Sequence, residues 1–472
     1  MSPDSSKTIA EETVARLQGA GFAAFWVGGC VRDFLLGCEP QDFDIATDAK
    51  PEQVEKLFRK TIPVGKKFGV IIVVEDGQQF QVATFRAEAE YRDGRRPEKV
   101  IFANAEADAR RRDFTVNGLF YDPLTQKIHD WVGGENDLRA KVIRTIGAPE
   151  ERFGEDHLRM LRAVRFAARL GFEIEAKTFT AIQTLAPKIK LISAERVRDE
   201  LIKLFAPPVV AQASRRCDSS EQNIFPQTET HRRDAGVTAA ARGLVLLRDS
   251  GLLEHILPEL AATAGCEQSP DFHPEGSVFR HLCLMLEKMP PGAHESLPWA
   301  VLLHDIAKPV TAAHDAATGK IHFYGHEKVG ADMAEKILQR LRFPKKATEE
   351  IVAAVRHHMQ FKDVQQMRKA TLRRLLLRET FPLELELHRL DCLGSSGDLA
   401  HFNFLVEQAE ALKQQPEIRP ALLTGTDLIQ LGLRPGRQMG TLLAEIRELQ
   451  LADELRTSRE ARAWAKKKIS GA

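Results

Sequence analysis

The sequence predicts an α/β head built on a small mixed sheet, followed by an all-helical remainder. Three observations carry that expectation. Short β-type runs bounded by turn residues are confined to the region before residue 147. From Glu150 onward the apolar spacing is helical and stays so. At 472 residues the chain is too long for a single core, so about two to four domains are expected.

In chain order, "IAEETVARLQGAG" reads as a helix stopped by glycine. "FAAFWVGG", "QDFDIAT", "GVIIVVEDG" and "QFQVATFR" read as strands, the last two joined by Asp76-Gly77, a hairpin signal. "KPEQVEKLFRK" between them is helical, and residues 1–147 form the head. "EDHLRMLRAVRFAARLGF" reads as one long amphipathic helix, and "SAERVRDELIKLF" as another with a serine cap, giving a helical neck over 148–205. Residues 206–240 have no period and read as an irregular insertion. A helical body over 241–274, a histidine-bearing helical region over 275–395 and a polar helical tail over 396–472 complete the order.

Composition excludes several classes. With 43% hydrophobic and 28% charged residues the chain is expected to be soluble and globular. A formal net charge of +1 means that any nucleic-acid contact must come from local basic patches. Arg162, Arg165, Arg169 and Arg196 could follow an RNA backbone, or their stems could equally cover helix surface. Six cysteines without a CxxC pair argue against a thiolate zinc site and suit a reducing compartment. No apolar run is long enough to span a bilayer, and the first residues lack a signal-peptide core, so a cytoplasmic location without membrane contact is expected.

The chemistry concentrates in "VGGCVRDFLLGCEPQDFDIAT", Val27 to Thr47. On a strand, Asp42 and Asp44 project from one face while Phe43 turns to the other. Two such carboxylates repel unless a cation neutralises them, and hard oxygen ligands favour Mg²⁺. Gly28 and Gly29 before a helix would let the backbone approach a triphosphate, with Arg32 and Asp33 on the first turn. These parts describe metal-dependent nucleotidyl transfer, one Mg²⁺ activating a 3′-hydroxyl and another steadying pyrophosphate.

That stretch resembles the signature of the class II tRNA nucleotidyltransferase and bacterial poly(A) polymerase family. The resemblance continues in order through "RRRDFTVNGLFYDP", "HDWVGGENDL", "EDHLRMLRAVRFAARLGF" and "RVRDEL", covering about the first half of the chain. It implies a nucleotidyltransferase head with Asp42 and Asp44 as catalytic metal ligands. Arg111, Arg112 and Asp113 are expected to open a helix, with Asn117 one turn on. Together with Gly28, Gly29, Arg32 and Arg162, they would hold the nucleotide's sugar and phosphates. Asp156 and Arg159, read as three apart on one helix face, would select CTP and ATP by hydrogen bonds that a wrong base leaves unpaired. On spacing alone that pair is an ordinary surface ion pair. The charged stretch Thr84–Val100, with Arg86, Tyr91, Asp93 and Arg95, corresponds to a loop associated in the family with adding the terminal A.

The second half carries His281, His304-Asp305, Lys308, His326, His357-His358 and Asp391 in an ordered series. Imidazoles and carboxylates converging from several helices make a divalent metal cage. The series resembles an HD-type phosphohydrolase domain. That resemblance implies His281, His304, Asp305 and Asp391 around a first Mn²⁺ or Ni²⁺. His326, His357 and His358 would serve a second metal or a phosphate, with Lys308 contacting phosphate.

The leading expectation is template-independent addition of CCA to the tRNA 3′ end from CTP and ATP, with end repair by the HD domain. Poly(A) polymerase, or an enzyme adding only A or only CC, is the alternative within the family. A metal phosphohydrolase with a nucleotide- or RNA-binding head is the alternative of another class. Oligomeric state is left open.

Overall fold

The structure, a computed structural model, describes residues 3–40, 42–87, 102–208, 238–268, 275–315, 320–414 and 420–470. Two compact units divide the chain: Met1–Ala261 with Pro290–Gly292, and Ala262–Met289 with Ala293–Ala472. Among the described residues no helix is long and apolar enough to cross a membrane. Tyr91, Asp93 and Arg95 of the charged stretch lie outside the described residues, as does 209–237 of the irregular insertion.

In the first unit, helix α1 (Pro3–Gly19) precedes strand β1 (Ala24–Val27), and Gly21 turns the chain with φ 87°. Helix α2 (Gly29–Leu35), β2 (Asp44–Thr47), α3 (Pro51–Leu57), β3 (Thr61–Gly65), β4 (Val70–Glu75) and β5 (Gln78–Thr84) follow. Then come α4 (Ala105–Arg110), β6 (Phe120–Asp122), β7 (Lys127–His129) and α5 (Gly134–Ala140). The seven strands form one sheet in the order β3-β4-β5-β2-β1-β6-β7. It is mixed, because β2 runs parallel to β5 while its other neighbour, β1, is antiparallel. The β4–β5 hairpin turns on Asp76 and Gly77, both with positive φ (47° and 80°), which is why Asp-Gly stands there.

Burial alternates along β5, with Phe80, Val82 and Thr84 inside. Across the sheet's middle Val27, Ala46, Phe85 and Phe120 form a core cluster flanked by Trp131. This packing seats the β1–α2 turn, the start of β2 and the segment after α4 beside one another.

The helical neck departs from expectation. The predicted long helix is α7 (Leu158–Leu170), which begins three residues later than expected, and a separate helix α6 (Pro149–Glu155) precedes it. Asp156 between them is extended (φ −150°, ψ 103°), and its carboxylate accepts the Leu158 N–H at 3.1 Å. An aspartate that bonds nearby backbone competes with the helix, and here it wins. Helices α8 (Ala176–Leu185) and α9 (Ala194–Phe205) follow; α7 packs on α9, and Leu161 and Val164 of α7 and Leu201 of α9 are fully buried. Ser193 stands at the N-cap of α9, but its side chain makes no capping bond.

The second unit is helical apart from a two-stranded ribbon, Ala313–His314 with Ile321–His322. Its tail builds a core of its own from Leu428, Ile446, Ala461 and Ala465.

Cys30 lies under β1 and β2, its thiol 3.3 Å from the Val27 carbonyl. Burial pushes it up to about 12. Cys38 is exposed. Iodoacetamide at pH 8 is therefore expected to alkylate Cys38 well ahead of Cys30, read by peptide mass spectrometry; equal labelling of the folded protein would contradict this packing.

Candidate active and metal sites

The head cluster begins at Gly28, which caps α2 with φ 76°. A Cβ there would stand 2.9 Å from Arg112 Nη1, so only glycine lets this turn and the guanidinium meet. Asp42 is exposed just before β2, Phe43 is buried, and Asp44 opens the strand half-buried. Burial raises the Asp44 carboxyl, Asp42 raises it further, and Arg112 opposes both. The carboxylate pair read from the sequence is thus a real repulsion, which a cation would relieve.

Arg111 and Arg112 do not open a helix. They close one: α4 is capped by the Asn104 side chain, and Arg111 is its C-cap. The sequence carries that signal in Asn104, a capping residue, followed by the helix-forming "AEADAR". Asn117 does lie a short 3₁₀ turn on, within Thr115–Asn117.

The structure brings most of the head residues into one chain of contacts. Arg32 donates to Asn117 Oδ1 at 2.7 Å and pairs with Asp33. Asn117 donates to Asp113 Oδ1 at 3.2 Å. Arg162 reaches the other Asp113 oxygen through Nε and Nη2, at 2.9 and 2.7 Å. Arg32 and Arg162 both stand over the Phe166 ring at 5.3 Å. Burial disfavours the Asp113 carboxylate, yet Arg162 holds it below the usual range.

Asp156 and Arg159 are not side by side on one helix. Asp156 takes Arg196 Nη2 at 2.6 Å, and Arg159 bonds Glu155 and the Arg152 carbonyl. Both still act electrostatically on the Asp113–Arg162 pair. The arginines read as RNA-backbone candidates are also engaged. Arg162 and Arg165 meet Glu200, Arg169 donates to the Lys203 carbonyl, and Arg196 holds Asp156. Arg162 and Arg165 are half-buried, and the buried Glu200 on α9 partners both. Glu155, Glu200 and Asp108 were missed in the sequence; for Asp108 the signal was its spacing of three and four from Arg111 and Arg112.

In the second unit His281 sits on the helix Val278–Glu287, and His304 caps Leu297–Leu303. His326 begins His326–Arg340, and Asp391 lies on Phe381–Gly394. Among the described residues two groups could hold a metal ion: His281, His304 and Asp305; and Asp305, His326 and His358. Three of these imidazoles share a device. His304, His326 and His358 each place Nδ1 at the carbonyl three residues earlier, at 2.9, 2.7 and 2.7 Å. Donation there leaves Nε2 free to be a metal ligand, and all three face Asp305; His326 and His358 Nε2 also lie 3.1 Å apart, so with no cation between them one carries the proton. His304 Nε2 is buried without an aligned hydrogen bond, 3.2 Å from Asp305 Oδ2. His326 and His358 Nε2 lie 3.4 and 3.8 Å from Oδ1. A cation fits this donor set.

His281 is held differently, with Nδ1 2.7 Å from Glu275 and Nε2 3.0 Å from Asp391. Burial works against its charge, but those two hydrogen bonds push it up to about 9. His358, by contrast, is pushed down to about 3 by burial and by His304. Two residues leave the expected arrangement. His357 turns to Glu384 at 3.0 Å, because that fully buried carboxylate needs partners and takes Arg378 and Thr380 as well. Lys308 is buried and committed to Asp305 at 2.7 Å and Gln268 at 2.6 Å, so its ammonium serves the carboxylate first.

Comparison with known families accounts for this order of parts. Residues 24–144 match the poly A polymerase head domain, and 277–393 match the HD domain. Residues 171–230 match a probable RNA and SrmB-binding site of polymerase A. Relatives named CCA-adding enzyme align with part of the chain. That of Geobacillus kaustophilus is 47% identical over 201 residues, 42% of this chain and 50% of its own. That of Staphylococcus aureus is 44% identical over 196 residues, 41% and 49%.

The chain carries a poly A polymerase head domain and, behind it, an HD domain.

The aligned part spans about half the length of the curated relatives. The fold likeness extends further than the aligned part. The Bacillus stearothermophilus CCA-adding enzyme in complex with CTP superposes with a TM-score of 0.69 at 26% identity, covering 100% of this chain and 98% of the other. The Thermotoga maritima CCA-adding enzyme complexed with tRNA shares the fold at 17% identity and a TM-score of 0.52, over 98% and 95%.

Proposed function

We propose that this chain is a tRNA nucleotidyltransferase that adds CCA to the tRNA 3′ end from CTP and ATP. One observation carries the reading: the Asp42–Asp44 pair shares Arg112 with the Gly28 turn, against which that guanidinium stands. A carboxylate pair needs a cation, and Arg112, held by Asp108 through Nε and Nη2, keeps Nη1 toward the turn where a phosphate would sit; a Mg²⁺-bound triphosphate suits both. Asp42 and Asp44 would hold Mg²⁺, which when bound supplies charge stabilisation for in-line transfer to a 3′-hydroxyl. Gly28, Gly29, Arg32, Arg111, Arg112, Asp113, Asn117 and Arg162 form the nucleotide's seat. The domain order follows the reading: head 1–147, neck 148–205, body 241–274, HD domain 275–395 and tail 396–472.

Base choice is assigned to Asp156 and Arg159. Each is parked on another partner, Arg196 and Glu155, so a base would exchange those bonds for its own pairing edge. Replacing both with alanine is expected to lower discrimination among the four triphosphates about tenfold or more, while pyrophosphate inhibition changes little. Unchanged selectivity would remove the role.

The HD cluster supports a second activity, hydrolysis of 2′,3′-cyclic or 2′ phosphate on damaged tRNA ends with Mn²⁺ or Ni²⁺. Asp305, His304, His326 and His358 would hold the metal, with His281 and Asp391 beside them. Purified protein with these metals is expected to hydrolyse bis-p-nitrophenyl phosphate, and inert protein would exclude the activity. The deciding experiment for the head offers each labelled triphosphate to tRNAs ending before CCA, after one C and after CC. Incorporation of C, C and A in turn supports the reading; A alone on every end would replace it with poly(A) polymerase.

A further inference from the structure

We propose that Asp108 is the positioning residue of the phosphate-facing arginines, one buried carboxylate that sets both forks before a triphosphate arrives. The inference rests on the nucleotidyltransferase reading and adds a residue to it. Asp108 is 1% exposed on α4. Its Oδ1 accepts Arg111 Nε and Nη2 at 2.8 and 2.6 Å, and also the Arg86 backbone N–H at 3.1 Å. Its Oδ2 accepts Arg112 Nε and Nη2 at 3.3 and 3.1 Å. Arg111 Nε is shared with the Arg86 carbonyl at 3.1 Å.

The geometry leaves a defined remainder. With Nε and Nη2 of Arg112 committed, Nη1 points at the Gly28 turn and lies 3.4 Å from the Asn117 carbonyl. The Phe120 ring beneath the guanidinium, at 5.1 Å, fixes its plane. Two positive charges against one negative leave a net positive charge for phosphate. Rotamer freedom is given up in the free protein, so binding does not have to remove it. Burial disfavours the Asp108 carboxylate, yet Arg112 and Arg111 hold it below the usual range, so it stays ionised. The competing effect is that Asp108 satisfies these arginines and weakens their pull on phosphate. The two effects predict opposite signs on removing the carboxylate.

The test compares wild type, Asp108→Asn, Arg112→Ala and the double variant. It reads KM for CTP and ATP on tRNA lacking CCA, inhibition by inorganic pyrophosphate, and tRNA affinity. Asp108→Asn is expected to weaken CTP, ATP and pyrophosphate by one common factor of about tenfold or more, leaving tRNA affinity unmoved. In the Arg112→Ala background the same change should add less than its wild-type factor, since only the Arg111 fork is left for it to act through. If Asp108→Asn does not fold, Asp108→Ser, which keeps an acceptor for the Arg86 N–H, takes its place. Unchanged or tighter pyrophosphate inhibition, unequal effects on CTP and ATP, or additivity in the double variant overturns the inference. A wild type that incorporates neither nucleotide overturns the underlying reading, and this inference with it; a working wild type with an unmoved variant overturns this inference alone.

Discussion

Asp42→Ala or Asp44→Ala is expected to lower nucleotide incorporation about a thousand-fold or more while tRNA affinity stays within about twofold. The expectation follows from what each carboxylate can do. Asp44 is half-buried, and its charge is disfavoured by burial and by Asp42 across the bend. An arrangement that opposes its own ionisation stabilises nothing in the free protein, so its value is in the cation it draws. Asp44→Asn should therefore leave the metal-free melting temperature unchanged or slightly raised, even as activity disappears. Single-turnover incorporation, filter binding of tRNA and thermal melting in EDTA read the three quantities. Retained incorporation would end the metal-ligand assignment; a large drop in metal-free melting temperature would make Asp44 a structural residue.

Asp305→Ala is expected to have the second largest effect, on stability as well as on metal binding. Asp305 is 2% exposed and faces Lys308, His304, His326 and His358. Burial raises the cost of its charge, but His304 and Lys308 hold the carboxyl well below the usual range. Removing it leaves a buried ammonium with only the Gln268 carbonyl, a loss of roughly 3–5 kcal/mol. Mn²⁺ or Ni²⁺ should stabilise wild type against heat and fail to stabilise the variant. The companion Asp305→Ala/Lys308→Met should recover much of the stability without recovering the metal effect. If metals leave wild type unmoved, or if the single variant melts like wild type, the cluster is not the metal site drawn above.

Several elements were legible because local chemistry decides them. The Asp76-Gly77 hairpin needs positive φ twice in succession, and the dipeptide says so directly. Gly28 before a helix and a buried Phe43 between Asp42 and Asp44 were likewise readable, although Asp42 lies in a bend before β2 and not on the strand. The break at Asp156 was not. Apolar residues keep helical spacing across it, and only the Asp156 bond to Leu158 N–H and the pull of Arg196 from α9 oppose the pattern. The serine at the start of α9 stood where the sequence put it, yet its capping bond is not made.

The ordered histidine series shows the same division. That several imidazoles and carboxylates meet was legible from their number and order. Which of the adjacent His357 and His358 joins was not, because neighbouring positions on a helix point about 100° apart and Glu384 claims His357 from another helix. By itself, then, the sequence determined the α/β head, the helical remainder and the kinds of group available for metal and phosphate, all set by short-range periodicity and residue chemistry. The tertiary structure decided who partners whom: Arg112 and Arg111 with Asp108, Arg162 with Asp113, Asp156 with Arg196. The physical reason is that buried charge must be paired, and the partner is whichever group the packing brings within hydrogen-bond reach, however distant in the chain.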